Sequence, residues 1–533
     1  MFKRKKLTTL LVLTLMSSSL LIGCQSSSDD SVSQITATSK DVLANQNARI
    51  AIAKSIDKEG YVDVILNNGS KATNTFTATG LAINEGSDYT ELTEGFGHAY
   101  NTDEAKEHWE MAKEEVGFDN VTINLLTSDT DNSKKTSEFI QAELSALEGL
   151  NLTITNVPFT QRSQRDAIGD FDISYTGWGA DYPNPLSYLK TMQTGGKYAA
   201  QVGYDSEEYN QLLTDAISET DTNKSYEIFA EAEKMMLEDT YLIPLFDSGI
   251  SYAEKEYVSG IINHPWGSDY TYKNADVDKD EKVLNLLSTS DIPTMDVSHA
   301  NNSVTYRAMN NTMEGLTRID ENVEVVMAGA TDYTVSEDGL VWTFNLNEKA
   351  MWSNGDKVTA HDYKYSWDRT VDPNEATQFG YMLEDIDSWQ VLDDYTFEVT
   401  LKYPLSYFAE LVSFPLLFPQ NQAFVESMGD SYGTSIETQL YNGPFTLSVW
   451  RMEDVYAFEK NDTYWDKENV NLDTVNFKIV KDNGTAINLY KSGEIDRVVL
   501  ASEYVEEFKD TNEYHSYLEA ATFMLQLNAS NHK

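Results

Sequence analysis

The stretch Gly177-Trp-Gly-Ala-Asp-Tyr-Pro-Asn-Pro185 concentrates the residue types best suited to holding a ligand in this 533-residue chain. Asp181 follows two glycines that flank an aromatic, Trp178. In a closed, partly dry cleft, such a carboxylate makes a charge-assisted bond to an ammonium group and reads nothing else of the ligand. The plainer role for Asp181 is a turn ahead of Tyr182-Pro183. Gly177 and Gly179 allow a second backbone to approach, and main-chain bonding to an added strand gives affinity without sequence choice. They also suit a glycine-rich turn. Phe159, Trp178, Tyr182, Phe379 and Tyr381 are candidates for side-chain pockets, although aromatics fill cores more often than they line sites. Arg162 and Arg165 could meet a carboxylate, but two exposed arginines facing an acidic surface are the simpler expectation.

Catalytic chemistry is poorly supported. His98, His108, His264, His299, His361, His515 and His532 are far apart, with no His-Glu-x-x-His pair for zinc. There is no Gly-x-Ser-x-Gly. The chain is therefore expected not to be an enzyme and to need no metal or cofactor. The formal net charge of −47 repels phosphates and argues against nucleic-acid binding. It suits a soluble exposed protein and could steer cationic ligands toward it.

The first 24 residues read as a targeting segment. Lys3-Arg4-Lys5-Lys6 is a basic start, and Leu7 to Leu21 is apolar but too short and Ser/Thr-rich for a comfortable membrane span. Leu21-Ile22-Gly23-Cys24 resembles a bacterial lipobox, and Cys24 is the only cysteine in the chain. Cys24 is thus expected to carry lipid, which would anchor the protein to a membrane on its extracytoplasmic face: a Gram-positive cell surface or a periplasmic face. No disulfide can form within one chain. Residues 25–40, rich in Ser, suit a flexible tether.

The elements behind these residues follow an α/β rhythm. Val121, Ile123 and Leu125 alternate as a strand. Ile140, Leu144 and Leu147 mark a helix stopping at Gly149, and Leu152 and Ile154 alternate again. Ala48, Ile52 and Ile56 share a helix face with Asn45 as N-cap. A helix over about 225–237 leads into the apolar strand 242–246. Residues 340–346 and 395–401 read as strands of a more β-rich region. The acidic stretch Lys273 to Glu281 looks like a linker. At this length two or more lobes are expected.

Several segments together resemble the oligopeptide/dipeptide-binding proteins of ABC importers. They are Val341-Trp-Thr-Phe-Asn-Leu346, Trp352-Ser-Asn-Gly-Asp-Lys-Val-Thr-Ala-His-Asp-Tyr363, Ser366-Trp-Asp-Arg-Thr-Val-Asp-Pro373, Asn442-Gly-Pro-Phe445, Glu459-Lys-Asn-Asp-Thr-Tyr-Trp465 and Leu489-Tyr-Lys-Ser-Gly-Glu-Ile-Asp496. The stretch 177–185 resembles the one lining the peptide cleft in that family. The resemblance implies a two-lobed, periplasmic-binding-protein-like α/β fold (type II, venus-flytrap) with an extra β-rich subdomain. It implies capture of short extended peptides and their delivery to permease subunits by a monomer. Asp181 would pair with the peptide's α-amino group. Gly177 and Gly179 would bond its backbone, and Asn301, Asn302 and Ser303 would lie on the facing segment. Some members place a basic residue just before the Gly-Trp, where this chain has Tyr175 and Thr176. The Trp352 and Glu314-Gly-Leu stretches are expected to be scaffold turns.

The order departs from the family: the stretch like 282–528 comes first there, and the stretch like 41–277 second. The chain thus resembles a circular permutant. The expected organisation is 1–24 signal segment, 25–40 tether, 41–247 α/β lobe, 248–321 with 441–533 as core lobe, and 322–440 as β-rich subdomain. Two alternatives stand beside peptide capture: a non-peptide ligand such as a nickel chelate, haem or sugar, and a permuted paralogue without function.

Overall fold

In the computed structural model, residues 37–84, 86–300, 302–375, 377 and 380–530 are described. The lipobox and tether calls through residue 36, together with Asn301 and Phe379, fall outside the described residues, as does the side chain of Tyr381.

The strand–helix–strand unit read from the sequence is present as Val121–Ser128, Asp131–Leu144 and Leu150–Val157. Its two strands pair in parallel, as a helical crossover requires. They belong to a seven-stranded sheet in the order Lys71–Ala72, Leu242–Glu254, Tyr514–Leu527, Ile173–Gly179, Val121–Ser128, Leu150–Val157, with Arg497–Val499 added beside Leu242–Glu254. Helices cover both faces, and this is why its strands read as nearly continuous apolar runs. One face packs on Ile52, Trp109, Ile140 and Leu144, the other on Tyr188, Tyr209, Phe229 and Met236. Trp109 is fully buried, and its truncation to alanine would cost about 3–5 kcal/mol. Asn45 caps the helix Gln46–Lys54 as expected, its side chain accepting from the Ala48 N–H at 3.1 Å.

A second sheet joins Val283–Ser288 to Thr474–Ile479 in parallel and continues antiparallel through Val455–Lys460 to Phe445–Arg451. The β-rich region is a four-stranded antiparallel sheet, Ala330–Val335, Val341–Leu346, Thr396–Leu401 and Ile386–Asp393. Its Phe344, Phe397 and Trp367 are fully buried in one core cluster with Tyr456 and Phe477 of the second sheet.

Two long strands, Leu242–Glu254 and Tyr514–Leu527, run side by side and join these parts. The first half of Tyr514–Leu527 pairs near the Arg497–Val499 end. Its second half pairs with Ile173–Gly179, so this strand serves the first sheet as well as the segment it was grouped with from the sequence. The stretch 273–281 is not a loose linker. Asp276–Val277 pairs with Val258–Ser259, Ala275 and Val277 are fully buried, and the buried Lys273 ammonium meets Asp466 at 2.7 Å. Asp278 to Glu281 are exposed while Ala275 and Val277 enter the core, a pattern that composition alone hides.

The two outer ends of the described fold meet at one residue. The Asn528 N–H donates to the Asp172 carbonyl at 2.9 Å, and the Ser39 hydroxyl to the Asp172 carboxylate at 2.7 Å.

Candidate functional site

Ile173–Gly179 carries the motif glycines at the carboxyl end of the sheet, where α/β folds hold ligands. Its inner edge pairs with 521–527 all along. Its outer edge pairs with Val121–Ser128 only at Ile173 and Ser174. Beyond that point the outer edge, from Tyr175 to Gly179, has no strand partner among the described residues, although the Gly177 carbonyl accepts from the Tyr198 hydroxyl at 3.2 Å. The Ala180 N–H bonds the Ala520 carbonyl at 2.8 Å, so antiparallel alternation turns the main-chain groups of Gly177 and Gly179 outward. The glycine at 177 has a packing cause too: an added Cβ would lie 3.0 Å from the Phe523 ring. At Gly179 it would meet only the Ala521 methyl, at 3.9 Å.

Asp181 lies just beyond this strand, half-buried, with its N–H donating to the Ser187 hydroxyl at 2.9 Å. Trp178 is fixed by its indole N–H on the Ser187 carbonyl at 2.9 Å. The Lys197 ammonium lies 4.7 Å from the Trp178 ring centre and 5.3 Å from that of Tyr198. Desolvation lowers the Lys197 pKa, while the nearby charge of Asp181 works to keep it protonated. On the helix Ser303–Thr312, the Tyr306 hydroxyl has its pKa raised first by burial and then by the charge of Asp181. Asn302 caps that helix through its side chain, accepting from the Thr305 N–H, and Ser303 is exposed.

The remaining candidates separate. Tyr182 stacks face to face on Tyr407 of the β-rich region, with centroids 4.3 Å apart and planes 3° apart. Phe159 is exposed at the sheet's carboxyl end, with the Arg162 guanidinium 5.2 Å from its ring centre. Arg162 itself corrects the sequence expectation. It is buried, paired with Asp166 at 2.6 Å and donating to the Ser128 hydroxyl at 3.1 Å. Arg165 is more exposed and pairs with Asp170 at 2.8 Å. Neither has a free guanidinium for a ligand. Gly355 makes the expected tight turn at φ +91°. Glu314 is more than a turn residue: it is buried, accepting from the Tyr464 hydroxyl and the Trp465 indole, each at 2.6 Å.

Two cavities flank the site. One of about 310 Å3 lies between Leu186 and Phe229 on one side and Trp342 and Tyr407 on the other. Another, of about 340 Å3, runs along Gly249–Ser251 beside Tyr270, Thr289, Arg307 and Arg497. Asp181 lines neither. Among the described residues, no group of three His, Cys, Asp or Glu could hold a metal ion. Lys197, Tyr407 and Arg307 carry no motif; only the fold brings them to the site.

The family profile described as “Bacterial extracellular solute-binding proteins, family 5 Middle” matches residues 24–200 and 324–533. The chain belongs to that family. Dipeptide-binding protein DppE of Bacillus subtilis is 34% identical over 265 residues, 47% of this chain and 49% of that protein. The oligopeptide-binding protein OppA of the same organism is 31% identical over 244 residues, 42% and 45% of the two chains. A solved structure of Listeria monocytogenes OppA bound to peptide is 39% identical over 44% of this chain and 49% of that one, with a TM-score of 0.43. The chain spans about half the length of the relatives it matches. The family comprises solute-binding proteins rather than enzymes. Among its described residues no helix is long and apolar enough to cross a membrane.

Proposed function

We propose that this chain captures short peptides in extended form between its lobes and delivers them to ABC-transporter permease subunits. It does so as a monomer outside the cytoplasm, tethered by lipid on Cys24. The observation that carries the reading is Asp181 at the end of a strand whose outer edge is open. A carboxylate there suits a peptide ammonium, and the outward groups of Gly177 and Gly179 suit its main chain. Trp178 and the cavity walls would take side chains. Lys197 is the cation best placed for a ligand carboxylate, a role the two arginines do not offer. The DppE and OppA names point the same way, since those relatives bind dipeptides and oligopeptides.

The chain order is best read as a circular permutation of the family's. The meeting of Ser39 and Asn528 at Asp172 supports this, because permutation needs the rejoined ends to be neighbours.

Native mass spectrometry of the soluble form starting at Gln25, with and without a pool of two- to ten-residue peptides, tests the capture reading. Peptides of mixed sequence should be retained, and Asp181→Ala should weaken them about 30-fold or more, the cost of removing one partner of a desolvated charge pair. A folded protein that retains none would leave a non-peptide ligand or an inert paralogue.

A further inference from the structure

The two long strands fall out of register where they pass the site. Leu518 opposes Gly249 and Thr522 opposes Asp247, so Glu519, Ala520 and Ala521 stand against Ser248 alone. Such a bulge turns a side chain out of its regular direction. Glu519 lies in it, one residue from Ala520, whose carbonyl takes the Ala180 N–H. It is therefore on the strand beside Asp181. Its carboxylate accepts from the Ser248 hydroxyl at 2.9 Å, and among the described residues it has no cation within ion-pair distance. Its surroundings hold other charges, but these are already engaged. Asp269 pairs with Arg307 at 2.6 Å, Asp247 accepts from the Thr79 and Thr522 hydroxyls, and Arg497 bonds Glu254 and Asn263. His264 bonds the Thr271 hydroxyl, and the Tyr270 and Tyr517 hydroxyls bond each other. Ser248 precedes Gly249, and both Gly249 and Tyr270 line the 340 Å3 cavity.

A partly buried carboxylate without a counter-ion, beside a cavity and beside a seat for an ammonium, lacks a cation that a ligand can bring. We propose that Glu519 is a second anionic seat of the cleft, selecting peptides that carry a cationic side chain near their N-terminus. This rests on the peptide-capture reading. Burial raises the Glu519 carboxyl to about 7, with Asp269 adding to the rise and Ser248 opposing it. His264, at about 4, stays neutral between pH 6 and 8, while Asp247, at about 6, is already about half ionised at pH 6 and so accounts for at most about a twofold change over that range. A bound lysine or arginine side chain needs Glu519 ionised, so the preference it creates should strengthen with pH.

The test is calorimetric titration of the soluble chain with Ala-Ala-Ala-Ala, Lys-Ala-Ala-Ala, Ala-Lys-Ala-Ala and Ala-Ala-Lys-Ala, at pH 6 and pH 8. At least one lysine peptide should bind about tenfold or more tighter than tetra-alanine at pH 8. That ratio should fall about tenfold at pH 6, where roughly one Glu519 in ten is ionised. Titration of the peptide α-amino group affects all four ligands and cancels in the ratio. In Glu519→Gln the lysine preference should collapse toward unity. A preference created by the overall negative charge would instead survive in that variant. The wild-type pH comparison stands even if the variant fails to fold. Tetra-alanine binding with no lysine preference, or a preference indifferent to pH or retained in Glu519→Gln, overturns the proposal alone. A folded wild type that binds none of the four overturns the capture reading with it.

Discussion

Single residues carry the clearest titration signature. Lys58 is buried, its ammonium donating to the Asn74 side chain at 2.6 Å, with no carboxylate partner among the described residues to offset its desolvation. Burial alone lowers its pKa to about 7. In the unfolded chain it titrates near 10.4. Between these values the unfolded state binds the extra proton, so folding stability rises with pH, by up to about 1.4 kcal/mol per unit. Below about 7 both states are charged and the gain is gone. Lys58→Met should therefore flatten the wild-type rise in unfolding free energy between pH 7 and 9, as followed by denaturant titration; equal slopes in the two proteins would place the amine in water. Asp181 could be singled out from the sequence because it sits in a contiguous motif. Lys58, Lys197 and Glu519 could not, because their character comes from burial and from neighbours up to hundreds of positions away in sequence.

Elements were legible where their periodicity was local. The 121–157 unit, the capped helix at 46–54 and the β-rich strands follow from apolar spacing and turn residues. The long reach of Leu242–Glu254 and Tyr514–Leu527 did not, since partners rather than propensity fix how far a strand extends. The contacts that tie the 186–192 turns to the β-rich region were also hidden. The Tyr182–Tyr407 stack is joined by Lys190 and Asp385 at 3.2 Å, with the Tyr403 hydroxyl also on Asp385. These contacts tie the 186–192 turns to the β-rich region and exist only when the two are together. If peptides are captured by closure, as proposed, removing one adds to the cost of closing and so reduces apparent ligand affinity. The ion pair is partly exposed, which limits its worth to about 1 kcal/mol. Asp385→Asn should thus weaken peptide binding about fivefold, mostly through faster release. Stopped-flow displacement would measure it, and an unchanged release rate would mean that these contacts do not hold the closed form.

At the scale of the whole molecule, the argument turns on order rather than content. The packing that defines the fold does not depend on which peptide bond is left open, provided that the joined ends are near and the opened site is a surface loop. Both conditions are met. Ser39 and Asn528 touch the same Asp172, so a linker of about four residues, at roughly 3.5 Å each, spans the gap. Asp280 and Glu281 are both exposed, beyond the last buried residue of the 273–277 stretch. A chain that starts at Glu281, runs to Ser530, passes through the linker to Ala37 and ends at Asp280 keeps every sheet pairing described above. Its one added loop changes closure entropy by little, since that cost grows only as the logarithm of loop length. If the present order is a permutation of the family's, the rearranged protein should melt within about 2 °C of the original, a shift of roughly 1–2 kcal/mol for a chain of this size. It should also bind the same peptides in the same rank order. Circular dichroism melts and the titrations above decide it. A rearranged chain that fails to fold would mean that the native order guides assembly here and is not merely one of two equivalent ways to thread the same structure.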